Sequence, residues 1–312
     1  MTGGLVAVGE TLGLVTAGRL PYDRRAHLSF GGAESNVAVG VTRLGGHATW
    51  VSRVGRDAIG ELIVRELQAE GVCCQVKTCA DEPTGVMIKE DLAGGRARVH
   101  YHRSGSAASR LQPEDVEDHL LLGASIVHVS GITAALSETA RATVLDIAAR
   151  VAKTPTLLSF DLNFRSRLWD PSTAASFYRT ILPLCDIVFA GEDEARILWP
   201  TEPTPQGLAR SITAHGPAEG IIKLGARGVV ATAHGRNYAM PAFPIQVLDT
   251  VGAGDAFVAG YLADRLLDAD PATCLDTANR AGAVACQSSG DWEGNPTRSE
   301  LSGLESSEQV LR

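Results

Sequence analysis

A short run of small and acidic residues near the carboxyl end of the chain is the strongest candidate for chemistry. The run Asp249–Asp255 reads DTVGAGD, and the segment AFVAGYLADRLL, which predicts a helix, follows it at once. Because Gly252, Ala253 and Gly254 precede that helix, their backbone N–H groups can point into one cavity and hold an anion with help from the helix dipole. Asp255 would repel a bound phosphate, but it can accept the proton of a hydroxyl group that attacks a phosphoryl group, while the N–H groups stabilise the developing charge. The run therefore predicts phosphoryl transfer with Asp255 as the general base.

A purely structural role for these residues stays open on the motif alone. Asp255 could cap the helix, and the glycines could only make a tight turn. Two other nucleotide-binding patterns are missing from the sequence. No glycine is followed by lysine, which excludes a GxxxxGK[ST] loop, and Gly9–Gly13 lacks the GxGxxG spacing of dinucleotide-binding oxidoreductases.

Short apolar strands that alternate with amphipathic helices must position these residues. This rhythm predicts an α/β layered fold with a mostly parallel central sheet flanked by helices. The predicted strands are Leu5–Val8, Ile126–Val129, Thr156–Phe160, Ile187–Ala190, Ile221–Leu224 and Val229–Ala233. The predicted helices are Glu34–Leu44, Ala58–Glu70, Glu138–Val151, Ala256–Leu267 and Pro271–Ser288.

Two β-rich segments, at about residues 12–30 and 84–103, interrupt that rhythm. In the second, Val86–Lys89 and Arg98–Arg103 predict a hairpin around Gly94 and Gly95. A hairpin inserted in an α/β core is often a lid over a site. The alternative is an edge hairpin without a functional role.

Composition and charge narrow the possible partners. The 312 residues include 28 basic and 36 acidic side chains, giving a net charge of −8, and 45% of the chain is hydrophobic. An acidic chain without a basic run is a poor candidate for binding nucleic acid or an anionic membrane surface. The six scattered cysteines form no CxxC pattern, and the amino terminus has no basic region typical of a signal peptide, so we expect a cytoplasmic protein.

The DTVGAGD run resembles the carboxyl-terminal signature of the PfkB, or ribokinase-like, family of carbohydrate kinases. The family's amino-terminal signature has a counterpart in Gly31–Ala38, GGAESNVA, which leads into Leu44 and Gly45. The resemblance covers nearly the whole chain. It implies one kinase domain over residues 1–312, a ribokinase-like α/β fold with a small β-sheet lid, and a requirement for ATP and Mg²⁺.

The resemblance also implies residues that bind ATP. Lys223, Gly225 and Gly228 match the strand and turn near the ATP phosphates, with an ordinary β-turn as the alternative. Asn279 and Gly282 match the helix that borders the adenine.

The metal site that the resemblance implies is reduced in this sequence. Glu194 matches the glutamate that organises Mg²⁺, largely through water, and Gly191 stands where the family has asparagine. Glu194 would then act alone, or with Glu192 or Asp193. Direct protein ligation is not required, because Mg²⁺ commonly keeps several waters.

The substrate is predicted from the second β-rich segment and from the strand that ends near Asp161. Strand alternation places Tyr101 and Arg103 on one face, where a guanidinium group suits a planar carboxylate. Arg165 adds a second cation after the strand, and Asp161 and Asn163 could hold hydroxyl groups or structure the loop.

These features together are similar to those of 2-keto-3-deoxygluconate kinases, which implies phosphorylation of the terminal hydroxyl of 2-dehydro-3-deoxy-D-gluconate. A neutral-sugar kinase of the fructokinase or ribokinase type, and a non-catalytic sugar or nucleotide sensor, are the alternatives. Met87 stands where some members have tyrosine. Exposed edges of a β-lid predict a homo-oligomer. The expected substrate-binding residues are Gly32, Asn36, Tyr101, Arg103, Arg165 and Asp291.

Overall fold

A nine-stranded sheet forms the centre of the computed structural model, which describes residues 3–19, 22, 24–92 and 96–304. Neighbouring strands are parallel from one edge as far as the seventh strand, and the last two continue antiparallel. In spatial order the strands are β5 (Cys73–Cys79), β4 (Ala48–Gly55), β1 (Leu5–Val8), β8 (Ile126–Ser130), β9 (Leu157–Asp161), β10 (Ile187–Gly191), β11 (Glu219–Lys223), β12 (Val229–Ala233) and β13 (Arg236–Met240).

Helices cover both faces of this sheet. Successive residues of β1 show the two faces, because Leu5 packs in one apolar cluster and Val6 in the other. The helices are α1 (Ala33–Arg43), α2 (Ala58–Ala69), α3 (Asp118–Gly123), α4 (Gly131–Ala135), α5 (Glu138–Val151), α6 (Pro171–Ile181), α7 (Glu192–Leu198), α8 (Pro205–Thr213), α9 (Ala253–Arg265), α10 (Pro271–Ala285) and α11 (Arg298–Gly303). Apolar residues of α1, α2, α9 and α10 bury one face, and those of α5, α6 and α8 bury the other.

A second, four-stranded sheet carries the two β-rich segments. Its order is β3 (Ala26–Gly31), β2 (Leu12–Ala17), β6 (Val86–Leu92) and β7 (Arg96–His102), with β2 parallel to β6 and the outer pairs antiparallel. Leu12, Leu14 and Met87 form a small apolar cluster on this sheet, with Val99 packed against it. The predicted fold class, a mostly parallel sheet flanked by helices and joined by a small second sheet, is confirmed. The predicted turn at Gly94 and Gly95 lies outside the described residues.

The elements predicted from periodicity are all present, with ends displaced by a few residues, but several others were not predicted. The missed elements include β4, β5, α6, α8 and β13, and the short helices α3, α4 and α7. β5 is an edge strand whose side chains are mostly exposed, so it lacks an apolar pattern. α6 did carry a signal, because Asp170 caps it and Pro171 occupies its first turn.

One boundary error bears on the site. The sequence predicts that the helix after the DTVGAGD run begins at Ala256, but α9 begins at Ala253. Asp255 therefore lies within the first helical turn. In the part of the chain that the structure describes, no helix is both long enough and apolar enough to cross a membrane.

Candidate active site

A cavity of about 1200 Å³ opens between the carboxyl ends of the parallel strands and the second sheet. This edge is where open α/β sheets bind their ligands. The charged side chains that line the cavity are Glu10, Lys89, Arg103, Arg165, Arg167, Glu194, Lys223, Asp255 and Asp291. Other predicted site residues that line it are Gly32, Asn36, Tyr101, Gly252 and Gly254.

The backbone at the start of α9 leaves N–H groups available to an anion. Gly252 has φ +74° and precedes the helix without a side-chain cap. A Cβ atom there would lie 1.8 Å from the carbonyl oxygen of Asp291, so both the backbone conformation and the packing require glycine. The N–H groups of Gly252 and Gly254 have no acceptor among the described residues, whereas that of Ala253 donates to the Thr250 carbonyl at 3.4 Å. The first helical turn is thus suited to a phosphate group.

Asp255 is held by a side chain from the other motif. Asn36 donates a hydrogen bond from Nδ2 to Oδ2 of Asp255 at 2.9 Å. Burial raises the pKa of Asp255 to about 6, although the hydrogen bond from Asn36 opposes the increase. The helix-cap alternative is wrong, because Gly252 occupies the N-cap position. A carboxylate with this pKa, at a cavity wall, can accept a proton near neutral pH.

Asp291 lies beside Asp255 and is crowded by glycine backbone. Its Oδ2 would be 1.9 Å from a Cβ atom at Gly31. Burial, followed by the negative charges of Asp255 and Glu293, raises the pKa of Asp291 to about 7. A carboxyl group in this position can accept a hydrogen bond from a sugar hydroxyl.

A buried cluster of charges lies beside the Gly252–Asp255 turn. Lys223 at the end of β11 forms an ion pair with Asp161 at the end of β9, with 2.7 Å between Nζ and Oδ2. Burial alone would lower the pKa of Lys223, but the charges of Asp161 and Glu194 outweigh it and raise the pKa. A Cβ atom at Gly254 would meet only Nζ of Lys223, at 3.8 Å. Lys223 is therefore placed beside the predicted phosphate site.

Glu194 lies in the first turn of α7, and backbone N–H groups hold its carboxylate in place. Its Oε2 accepts a hydrogen bond from Gly191 N at 2.7 Å, and its Oε1 accepts one from Phe164 N at 3.1 Å. Burial, and then the charge of Asp161, raises the pKa of Glu194. Asp161 Oδ1 is buried without a hydrogen-bond partner among the described residues. These carboxylate oxygens are ligands of the type that Mg²⁺ and its bound waters prefer.

Arg103 lies on the cavity wall, but its charge is paired. Its Nε donates to Oε2 of Glu10 at 2.7 Å, and its Nη2 also contacts that oxygen. The Tyr101 ring lies 5.7 Å from the Arg103 guanidinium carbon. Arg165, in contrast, is exposed and makes no ion pair within the described residues. Arg165 is thus the less neutralised of the two predicted cations.

Two cavity residues that were not predicted connect the second sheet to the core. Lys89 on β6 forms an ion pair with Asp249 of the DTVGAGD run, with 2.6 Å between Nζ and Oδ2. Arg167 donates from Nη1 to the Val99 carbonyl on β7 at 2.8 Å. A sequence signal existed for Lys89, since strand alternation places it on the same face as Met87.

Four residues predicted to bind ATP do not line this cavity. Gly225 and Gly228 form the turn after β11, and Gly228, at φ +92°, packs against the Met240 carbonyl. Asn279 on α10 donates to the Pro241 carbonyl at 2.5 Å. Gly282, one helical turn further on, packs against the backbone of the Gly252–Asp255 turn, since a Cβ atom there would lie 3.1 Å from the Ala253 carbonyl oxygen. Of the residues predicted to bind ATP, Lys223 is the one that lines the cavity.

Comparison with known proteins extends this picture to the whole chain. A model of the pfkB family of carbohydrate kinases matches residues 4–298. A 2-dehydro-3-deoxygluconokinase of Thermoproteus tenax is 35% identical, over 96% of this chain and 93% of its own. The protein of that name from Bacillus subtilis is 33% identical, over 90% and 87%. A fructokinase of Klebsiella pneumoniae is 32% identical, over 87% and 90%.

A solved structure supports the same family assignment. A putative ribokinase II of E. coli, determined in complex with ATP and Mg²⁺, superposes with a TM-score of 0.88 at 25% identity, covering 97% of this chain and 98% of its own. The family expected from the two sequence motifs is therefore confirmed. The chain belongs to the pfkB family of carbohydrate kinases.

Proposed function

We propose that this sugar kinase transfers the γ-phosphoryl group of ATP to the terminal (6-) hydroxyl of 2-dehydro-3-deoxy-D-gluconate. The observation that carries the phosphoryl transfer is the position of Asp255, a cavity carboxylate in the first turn of α9, next to the uncapped N–H groups of Gly252 and Gly254. The relatives named 2-dehydro-3-deoxygluconokinase support the choice of sugar.

In the proposed mechanism, Asp255 accepts the proton of the sugar hydroxyl as its oxygen forms a bond to the γ-phosphorus. The bond from that phosphorus to the bridging oxygen breaks, and ADP leaves. The N–H groups of Gly252 and Gly254, together with the Lys223 ammonium, stabilise the charge on the transferred group. Asn36 keeps the Asp255 carboxylate oriented.

The chain also offers groups that fit a hydrated metal ion. Asp161 and Glu194 supply carboxylate oxygens beside Lys223, and one oxygen of Asp161 is unpartnered among the described residues. When bound, Mg²⁺ neutralises phosphate charge. Glu194, fixed by two backbone N–H groups, would hold a water ligand in a constant position.

The arginines of the cavity support an acidic sugar. Arg103 and Arg165 can bind a carboxylate, and Tyr101 lies beside the first of them. Asp291, with its pKa raised to about 7 by burial and by the charge of Asp255, would accept a hydrogen bond from a sugar hydroxyl. Met87 contributes no hydroxyl group at this wall of the cavity.

A neutral sugar is the second candidate, and one observation favours it. Glu10 neutralises Arg103, so the cavity is less positive than the sequence predicts. The similarity to a fructokinase points in the same direction.

A substrate panel tests the proposal. Turnover of ATP is measured with 2-keto-3-deoxygluconate, 2-keto-3-deoxygalactonate, fructose and ribose. The proposal expects the highest kcat/KM with 2-keto-3-deoxygluconate. A preference for fructose or ribose would support the neutral-sugar kinase, and calorimetric binding without turnover of any sugar would support a sensor.

Self-association through the second sheet is also part of the proposal. β3 and β7 are its outer strands, and Leu28 on β3 is 45% exposed. Unpaired strand edges that carry apolar side chains favour pairing with another copy. Light scattering after size-exclusion chromatography would give the mass of a homo-oligomer, and a monomer at micromolar concentration would contradict this part.

The thiols fit a reducing compartment. All six cysteines are free, and two of the three buried ones, Cys185 and Cys274, lie within the apolar clusters. Free thiols of this kind suit the cytoplasm. Fractionation of the source cells would test that location.

A further inference from the structure

A buried carboxylate lies behind the arginine that faces the substrate. Glu10 follows β1, and its side chain has no exposed surface. One of its oxygens, Oε2, accepts a hydrogen bond from Nε of Arg103 and forms an ion-pair contact with Nη2. The other, Oε1, accepts one from Oγ of Ser106. Burying a carboxylate is costly unless it is paired and hydrogen-bonded, as Glu10 is.

The two donors lie at the ends of one turn. Ser106 N donates to the Arg103 carbonyl at 3.1 Å, and Gly105 between them has φ +71°. Ala107 then donates to the Pro83 carbonyl at 2.8 Å, at the base of the second sheet. Glu10 therefore fixes the point at which β7 leaves the second sheet and enters the core.

The contacts of Arg103 leave one edge of its guanidinium available. Nε and Nη2 are taken by Glu10, while Nη1 has no hydrogen bond among the described residues. The Arg103 side chain is only 13% exposed, yet it lines the cavity. Because rotation of this planar group is restricted on one edge, its other edge is presented in a fixed direction.

We propose that Glu10 is a positioning residue, which orients Arg103 toward the carboxylate of the sugar and sets the net charge at that wall of the cavity. This inference rests on the proposed sugar-acid substrate. It adds to the proposed function the residue that controls how strongly the site separates an acidic sugar from a neutral one.

The charge of Glu10 should affect substrate binding differently in the presence and in the absence of Arg103. With Arg103 present, the pair is neutral and the guanidinium is oriented. Without Arg103, the Glu10 carboxylate is left unpaired at the cavity wall, where it repels an acidic sugar. The same Glu10→Gln substitution should then have opposite effects on the KM for the acid in the two backgrounds.

The test is a double-mutant cycle of Glu10→Gln and Arg103→Met. We expect Glu10→Gln alone to raise the KM for 2-keto-3-deoxygluconate about tenfold, with a smaller effect on kcat, because the guanidinium loses its fixed orientation. Arg103→Met should raise that KM about 100-fold, and adding Glu10→Gln to it should recover about tenfold. The KM for fructose should change by less than about twofold throughout.

A second ion pair is a matched control for folding. Arg53 pairs with Asp115 through its Nε and Nη2 edge, and both side chains are nearly buried, but neither lines the cavity. Arg53→Met and Asp115→Asn should lower Tm without altering either KM. If they reproduce the KM changes of the cycle, the effect of Glu10 is general destabilisation and the inference is overturned.

The outcomes separate this inference from the proposed function. The substrate panel on the unaltered protein decides the function. The same four proteins are also compared by the inhibition constant of D-gluconate, a carboxylate probe. Inhibition is measured against whichever sugar the protein phosphorylates. Opposite signs of the Glu10→Gln effect in the two backgrounds support the inference. Equal effects in both, equal effects on acid and neutral sugars, or a failure of gluconate and every sugar acid to bind would each overturn it.

Discussion

Asn36 in the first turn of α1 donates a hydrogen bond to Asp255 in the first turn of α9, across 2.9 Å and 219 residues of sequence. The Asn36 side chain is itself held, because its Oδ1 accepts from Gly32 N at 3.3 Å. This contact joins the two sequence motifs into one site. It also favours the ionised form of Asp255, which burial disfavours.

Removal of the proposed general base, Asp255, is the first prediction. Asp255→Asn should lower kcat by roughly 10²–10⁴, because the amide cannot accept the hydroxyl proton. ATP affinity, measured by calorimetry, should be retained, since the N–H groups of the turn are unchanged. Full turnover in this variant would remove Asp255 from the mechanism.

The pH dependence of kcat/KM is the second prediction. Burial raises the pKa of Asp255 to about 6, and the proposed mechanism requires Asp255 to be ionised, so kcat/KM should fall as the pH decreases through about 6. Asn36→Ala removes the hydrogen bond that lowers this pKa. The acidic limb of the profile should therefore move to higher pH in that variant, by about one unit.

Asn295→Ala is the control for packing around Asn36. Asn295 donates from Nδ2 to the Asn36 carbonyl at 3.0 Å and makes no hydrogen bond to Asp255. Its loss should destabilise the fold and leave the acidic limb in place. An identical shift in both variants would assign the effect to packing.

The third prediction concerns the contact between the second sheet and the DTVGAGD run. Lys89→Met removes the ion pair to Asp249 and should raise the KM for the sugar about tenfold, because the wall of the cavity is no longer tied to the turn. Asp249→Asn should act alike, and the double variant should be no worse than either single one. Arg98→Met, on the exposed surface of the same sheet, is the matched control. Additive effects would mean that the two residues act separately.

The fourth prediction concerns stability and Asp291. Burial and the charge of Asp255 raise its pKa from 3.8 to about 7, so the folded state binds this proton more tightly than the unfolded state. The stabilising contribution of the protonated carboxyl is complete below pH 4 and is lost as the pH rises through 7. Asp291→Asn should therefore stabilise the protein at pH 8 by about 1–3 kcal/mol and much less at pH 5.

Thermal unfolding at the two pH values measures this effect. The Tm of Asp291→Asn should exceed that of the unaltered protein by a few degrees at pH 8. Activity should fall in the same variant, because the proposed function uses the Asp291 carboxyl to bind the sugar although its ionised form destabilises the fold. An equal Tm difference at both pH values would contradict the raised pKa.

Local sequence patterns were sufficient for most of the fold and for the centre of the site. β1 and β8 are buried along their whole length, and α5 buries one face, so each has a clear sequence pattern. The bounds of β1 and α5 are as predicted. β5 was missed because an edge strand has little to bury. The small residues of DTVGAGD predicted an anion site, since close approach of backbone to a ligand requires them at that point.

Only the tertiary structure shows which residues that are distant in sequence form pairs. From the sequence, the Arg103 guanidinium is predicted to be available to the substrate, but in the fold Glu10 forms an ion pair with it. The sequence likewise leaves Lys89 without a role, and the fold brings it to Asp249. Residue type and local spacing determine what chemistry a side chain can perform, because they set its charge and its backbone conformation. Which charges are cancelled and which carboxyls keep a proton depends on burial and on neighbours, and those are properties of the folded chain alone.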